Sequence, residues 1–193
     1  MKMKAIALAI LSLAAVSAAQ AESKVSGFYV GGGVGSTDFD SDESVDGKAD
    51  GSALKLIAGY QFNLIVGIEA QYNKYGDIKF TNPVNTWSPT TLSINANLGY
   101  SFDNGFRPYG LVGISTLDLS ETAQTLEDDQ GTAIHFGLGL EYAPPALDGL
   151  AFRVGYDTEI FGISTTYVQN STVVTKDVAY SIGAVYAGVT YKF

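Results

Sequence analysis

Apolar and polar residues alternate along most of the chain. Over 91–102, Leu92, Ile94, Ala96, Leu98, Tyr100 and Phe102 oppose Ser93, Asn95, Asn97, Gly99 and Ser101. The stretches 52–62, 65–75, 131–142 and 150–160 repeat the pattern. A period of two held over about ten residues predicts a strand with one apolar and one polar face. Three stretches are less pure. Residues 25–36 are glycine-rich, with Phe28, Val30 and Val34 on one face. Residues 106–117 contain Pro108 and carry apolar side chains on both parities, which predicts a bulge or a mixed face. Residues 178–193 form the last strand. No segment sustains a helical period.

The joints between these strands alternate in length. Residues 37–51, 77–90, 118–130 and 162–177 are long; 63–64 is tight, 143–149 is intermediate, and Asp103-Asn104-Gly105 is a hairpin turn signal. Eight strands joined in this rhythm predict an all-β fold, an eight-stranded antiparallel up-and-down barrel with its long loops at one end. About 11 residues per strand at roughly 3.3 Å, tilted by about 40°, give a height on the order of 28 Å, close to a bilayer core.

Alternation alone does not say which face is inside. Two features place the polar face inside and the apolar face in lipid. Charged residues lie near mid-strand on the polar face, among glycines and small residues. Aromatics gather where strands meet the short turns: Phe28, Tyr60, Phe62, Tyr100, Phe102, Phe106, Tyr142, Phe152, Tyr191 and Phe193. This predicts a girdle at one membrane interface, hence a transmembrane β-barrel. A looser second belt is expected from Tyr72, Phe80, Trp87, Tyr156, Phe161 and Tyr180.

Residues 1–21 read as a secretory signal peptide, with Lys2 and Lys4, an apolar run over 5–19 and the small-x-small pattern Ala19-Gln20-Ala21. The apolar run falls short of the roughly 20 residues of a spanning helix. Residues 22–193 are then the barrel domain. The absence of cysteine excludes disulfides and thiolate chemistry. Lys and Arg number 11 against 20 acids, which excludes a nucleic-acid binder, since phosphate neutralisation needs cations. A mean hydropathy of +0.13 beside a net charge of −9 is unusual. Much of the negative charge falls on two expected loops: Asp38, Asp40, Asp42, Glu43, Asp46 and Asp50 on the first, and Asp118, Glu121, Glu127, Asp128 and Asp129 on the third. The sequence DFDSDE makes Asp38, Asp40 and Asp42 weak candidates for a divalent cation. It lacks the glycine and the twelfth-position glutamate of an EF-hand loop, and a solvated acidic loop is the reading preferred.

On the same parity the lumen receives Lys55, Arg107, Arg153 and Lys192 as cations and Glu69, Glu141, Asp157 and Glu159 as anions. A barrel of eight strands is just filled by its side chains, so these charges are expected to pair and plug the pore. His135 is the only histidine, and it is expected as an interior group paired with Glu141 or Glu69. No cofactor and no catalytic residue is expected.

The end of the chain, Tyr186-Ala-Gly188-Val-Thr-Tyr191-Lys-Phe193, resembles the signal that outer-membrane barrels present to their assembly machinery, with Gly188, Tyr191 and Phe193 as its elements. With "GFYVGGGVG", "FRPYGLVGIS" and "HFGLGLEY", residues 22–193 resemble the small eight-stranded outer-membrane β-barrel family of the OmpA transmembrane domain, OmpX and the opacity-type proteins. The resemblance implies the outer membrane of a Gram-negative cell, with surrounding lipid and lipopolysaccharide and the barrel assembly machinery as partners. A monomer with a structural or surface-interaction role (envelope integrity, adhesion) and a host or surface ligand is the expected reading. The alternatives are a narrow channel for ions or small solutes and a lipid-modifying enzyme. Barrel hydrolases of this size use a Ser-His-acid set near the outer rim, and their His-x-Ser-Asn pattern is absent here. The chain stops at Phe193, so tethering through a periplasmic peptidoglycan-binding domain is not expected.

Overall fold

The computed structural model of the protein describes residues 26–41, 47–81, 84–123, 129–169 and 172–193, with the backbone alone over 164–169 and 172–177. The expected signal peptide and Asp42, Glu43, Asp46, Glu127 and Asp128 lie outside the described residues.

Eleven strands are present among the described residues. β1 (Gly27–Ser41), β3 (Ser52–Gln61), β4 (Val66–Lys74), β7 (Thr90–Gly99), β8 (Phe106–Asp118), β9 (Gln130–Tyr142), β10 (Leu150–Gln169) and β11 (Thr172–Lys192) form the barrel. β2 (Gly47–Asp50), β5 (Asp77–Thr81) and β6 (Val84–Trp87) form a separate three-stranded sheet. The barrel is closed and antiparallel throughout, and β1 seals against β11 from Tyr29↔Lys192 to Ser41↔Tyr180. Closure leaves the eight strands without an edge over their shared height, the one β solution available inside lipid.

Outward positions are apolar and exposed, as at Ile94, Ile114, Leu138, Val154 and Val185, the last two 55% and 62% exposed. An apolar belt of this extent is stable only against hydrocarbon. The girdle residues cluster around the short-turn end, with Phe28–Tyr60, Phe106–Tyr142 and Tyr191–Phe193 ring centroids 4.6, 4.6 and 5.2 Å apart. The turns there are closed by local hydrogen bonds. Asn63 Oδ1 accepts from the backbone N–H groups of Ile65 and Val66 at 2.8 and 2.9 Å. Gly105 adopts φ +86°, a left-handed conformation that the Asp-Asn-Gly signal anticipates.

The structure departs from expectation at the opposite end. Residues 77–90 are not a loop but the β5–β6 hairpin, which pairs with β2. Residues 162–169 and 172–177 continue β10 and β11, paired with each other as far as Gln169↔Thr172. β1 runs to Ser41, so Asp38 and Asp40 are strand residues on the outward face and not loop residues. β8 carries no bulge, since its register is unbroken with both neighbours. Its mixed parity arises because Tyr109, Leu111 and Leu117 are buried inside while Val112 and Ile114 face out.

The second aromatic belt is also corrected. Tyr72 and Tyr156 lie outside, each 38% exposed, but Trp87 and Phe161 are buried inward. With Tyr75, Ile78, Leu117, Leu119, Ala133 and Ile182 they form an apolar core, against which Phe39, Phe80 and Tyr180 pack. Above the lipid the outer wall meets water, so the polarity of the two faces reverts to that of an ordinary soluble domain.

Candidate functional site: the lumen

The lower lumen is built from inward positions on neighbouring strands. Glu69 on β4, Asn97 on β7, Arg107 on β8, Glu141 on β9 and Arg153 on β10 meet near the short-turn end. Arg153 donates through Nη1 to Glu69 at 2.8 Å and through Nε to Glu141 at 2.6 Å. Glu69 is fully buried and also accepts from the Tyr29 hydroxyl at 2.6 Å and from Asn97 at 2.9 Å. Tyr29 reaches it by lying over Gly59, where a Cβ would strike the ring. These donors fix the Glu69 carboxylate, which in turn keeps the guanidinium in place.

The network continues upward. Gln71 donates to Glu69 at 2.7 Å and accepts from Lys55 at 2.8 Å, and Lys55 is ion-paired with Asp157. The Tyr109 and Tyr186 hydroxyls meet at 2.6 Å across the lumen. Higher still, fully buried Glu159 accepts from Ser115 at 2.6 Å and from Thr91 at 3.0 Å, with His135 Nδ1 at 2.9 Å. His135 therefore pairs with Glu159, its direct cross-strand neighbour, and not with Glu141 or Glu69. Its Nε2 lies 3.8 Å from Asp157 Oδ2 and makes no hydrogen bond.

Of the residues singled out in the sequence, Lys55, Glu69, Arg107, His135, Arg153, Asp157 and Glu159 are buried inside; Glu141 and Lys192 are half-buried near the mouth. Arg107 stands apart from the ion pairs, with Nη2 donating to Asn97 at 2.7 Å. Sequence reasoning missed Tyr29, Gln71, Asn97, Thr91 and Ser115 as partners. Gln71 and Asn97 were on the polar parity and needed only to be counted; Tyr29 was hidden by the glycines of β1.

Ser115, His135 and Glu159 bring hydrolase residue types together. The serine hydroxyl, however, donates to the glutamate and not to the imidazole, so the Ser-His-acid order of a hydrolase is not formed. The group is sealed inside the barrel wall, away from lipid. Asp38 accepts from the Tyr156 hydroxyl at 3.0 Å on the outer face. Among the described residues no three His, Cys, Asp or Glu side chains gather as metal ligands. In the outer sheet Lys79 donates to Asp50 at 2.6 Å; the bond and the charge hold the Asp50 carboxyl below its ordinary range and push Lys79 up. Gly188 faces Gly33 across the closing seam, and Tyr191 and Phe193 face outward in the girdle.

The lumen is thus filled in two layers, a charged network below and an aromatic core above, roofed by the three-stranded sheet. Known proteins share this barrel. Neisserial surface protein A superposes with a TM-score of 0.57 at 23% identity, covering 89% of this chain and 100% of that one. Ail, the attachment invasion locus protein of Yersinia pestis, solved with the heparin analogue sucrose octasulfate, gives 0.54 at 14% identity over 88% of this chain and 99% of that one. Outer membrane protein P5 of Haemophilus influenzae is 27% identical over the whole of this chain, which spans 61% of that protein's length. Residues 6–193 match the family described as the outer membrane protein beta-barrel domain, and the chain belongs to it.

Proposed function

We propose that this outer-membrane barrel works as a surface-contact protein, engaging an external partner through its outer end and conducting nothing. The observation that carries this reading is the β10–β11 hairpin. β9 leaves β10 at Ile160 and β1 leaves β11 at Tyr180, yet the two strands stay paired to Gln169↔Thr172. Roughly 30 Å of hairpin therefore stands beyond the barrel wall. Among the described residues no strand pairs with its two outer edges. Unpaired backbone donors and acceptors in an extended row are a template for a partner's strand. The filled lumen supports the same reading, since a solute would have to displace both the ion-pair network and the aromatic core. The closing signal at Gly188, Tyr191 and Phe193 would be read by the assembly machinery, and the monomer would sit in lipid and lipopolysaccharide.

The test is excision of residues 164–177 and their replacement by an Asn-Gly turn. Bacteria displaying the shortened barrel should assemble it normally and lose adhesion to an epithelial monolayer. Unchanged adhesion would refute the reading. So would a reproducible unit current from the intact protein in a planar bilayer.

A further inference from the structure

The lower lumen holds a guanidinium whose partners are incomplete. Arg107 is 2% exposed, and only its Nη2 is engaged, on Asn97. Its Nε and Nη1 make no hydrogen bond to any protein atom among the described residues. The Tyr109 ring lies 5.7 Å from the guanidinium carbon, which holds the group without satisfying those donors. Glu141 faces Arg107 across the β8–β9 pair, but its carboxylate is turned to Arg153 at 2.6 Å. Buried donors left open are uncommon in folded proteins, and a charged one is the most expensive kind.

Charge counting points the same way. Among the buried and half-buried side chains near the short-turn end, Arg107, Arg153 and Lys192 stand against Glu69 and Glu141, an excess of one cation. Arg107, Arg153, Lys192 and Glu141 border a cavity of about 330 Å³ that reaches the short turns and the water beyond them. The other charges on its wall, Asp103 and Asp148, sit exposed at the rim, where solvent screens them.

We propose that this vestibule at the short-turn end binds a small oxyanion, of the phosphate class, on Arg107, with Lys192 contributing charge from the mouth. An oxyanion satisfies open guanidinium donors and cancels the excess charge in one step, which water cannot do. The phosphate group can come from free inorganic phosphate or from the headgroup of an anionic lipid in the inner leaflet. The site is at the far end of the barrel from the surface hairpin and does not depend on it.

The experiment uses the full chain in phosphatidylcholine nanodiscs, titrated with inorganic phosphate by calorimetry while the Arg107 Nε–Hε resonance is followed by NMR. A second arm replaces part of the lipid by phosphatidylglycerol and omits phosphate. Saturable binding that shifts the Arg107 resonance is expected in at least one arm, and the arm that responds identifies the source. Arg107→Gln, which removes the reporting resonance, should weaken the calorimetric binding of phosphate at least tenfold. Lys192→Gln, at a half-buried position, keeps the Arg107 resonance for either arm, should weaken the response about threefold, and keeps the test available if Arg107→Gln does not fold. No saturable response in either arm overturns the proposal, and so does a response that both variants leave unchanged.

Discussion

The lower and upper halves of the lumen occupy one barrel yet are held by opposite physics. Below, Arg153, Glu69, Glu141, Lys55 and Asp157 are buried charges whose desolvation is offset only while every partner is present. Above, Ile78, Ile182, Trp87 and Phe161 are packed as in a soluble core, where each side chain contributes through area and shape. The lesson is that strand parity stays constant while its meaning changes at the lipid boundary. Inside the membrane the inward face is the polar one; above it the inward face is the apolar one.

The largest effect should come from removing one member of the charged layer. Arg153→Ala leaves Glu69 and Glu141 buried without their cation, and should lower stability by about 3–5 kcal/mol. Urea unfolding in lipid vesicles, followed by tryptophan fluorescence, measures it. In the upper layer, Ile182→Ala opens a cavity beside the aromatic core and should lower stability by about 2–4 kcal/mol. Hydrogen exchange should show that loss concentrated in β5 and β6, with the lower barrel still protected.

A double substitution sharpens the contrast. Lys55→Met with Asp157→Leu exchanges an ion pair for apolar volume, and should be neutral or stabilising to within about 1 kcal/mol, while either single change is strongly destabilising. If the double variant is as unstable as the singles, the layer is held by shape and not by charge pairing. The smallest effect is expected outside the barrel, at the exposed Asp50–Lys79 pair. Because Asp50 is held below its ordinary range when folded, its contribution is present above the unfolded value and fades as pH falls through the folded one. Asp50→Asn should flatten that acid limb by slightly lowering stability at neutral pH, and change nothing at pH below the folded value.

Much of the barrel was legible in the sequence, because lipid imposes a period of two that few other environments require. The strands over 52–62, 91–102 and 131–142, the girdle, and the inward parity of Lys55, Glu69, His135 and Arg153 all follow from it. The partner of His135 was not legible, since which carboxylate faces it depends on the register between β9 and β10. The β5–β6 hairpin was missed because its strands of five and four residues are too short for alternation to stand out, and Asn82-Pro83 reads as loop. Phe80, Trp87, Phe161 and Tyr180 were misplaced because aromatics beyond the membrane were read by the rule that holds within it.

The seam between β1 and β11 bears on how the molecule comes together in time. Every other contact around the barrel joins strands close in sequence and can form as a local hairpin. The seam pairs Tyr29 with Lys192 and Ser41 with Tyr180, spanning nearly the whole fold. Its loop closure is the slowest to reach, so the sheet should exist first as an open, curved ribbon and become a cylinder in a single late event. Until that moment the charges of the lumen have no enclosure and the girdle has no circumference. The last step of folding is thus also the step that first separates an inside from an outside.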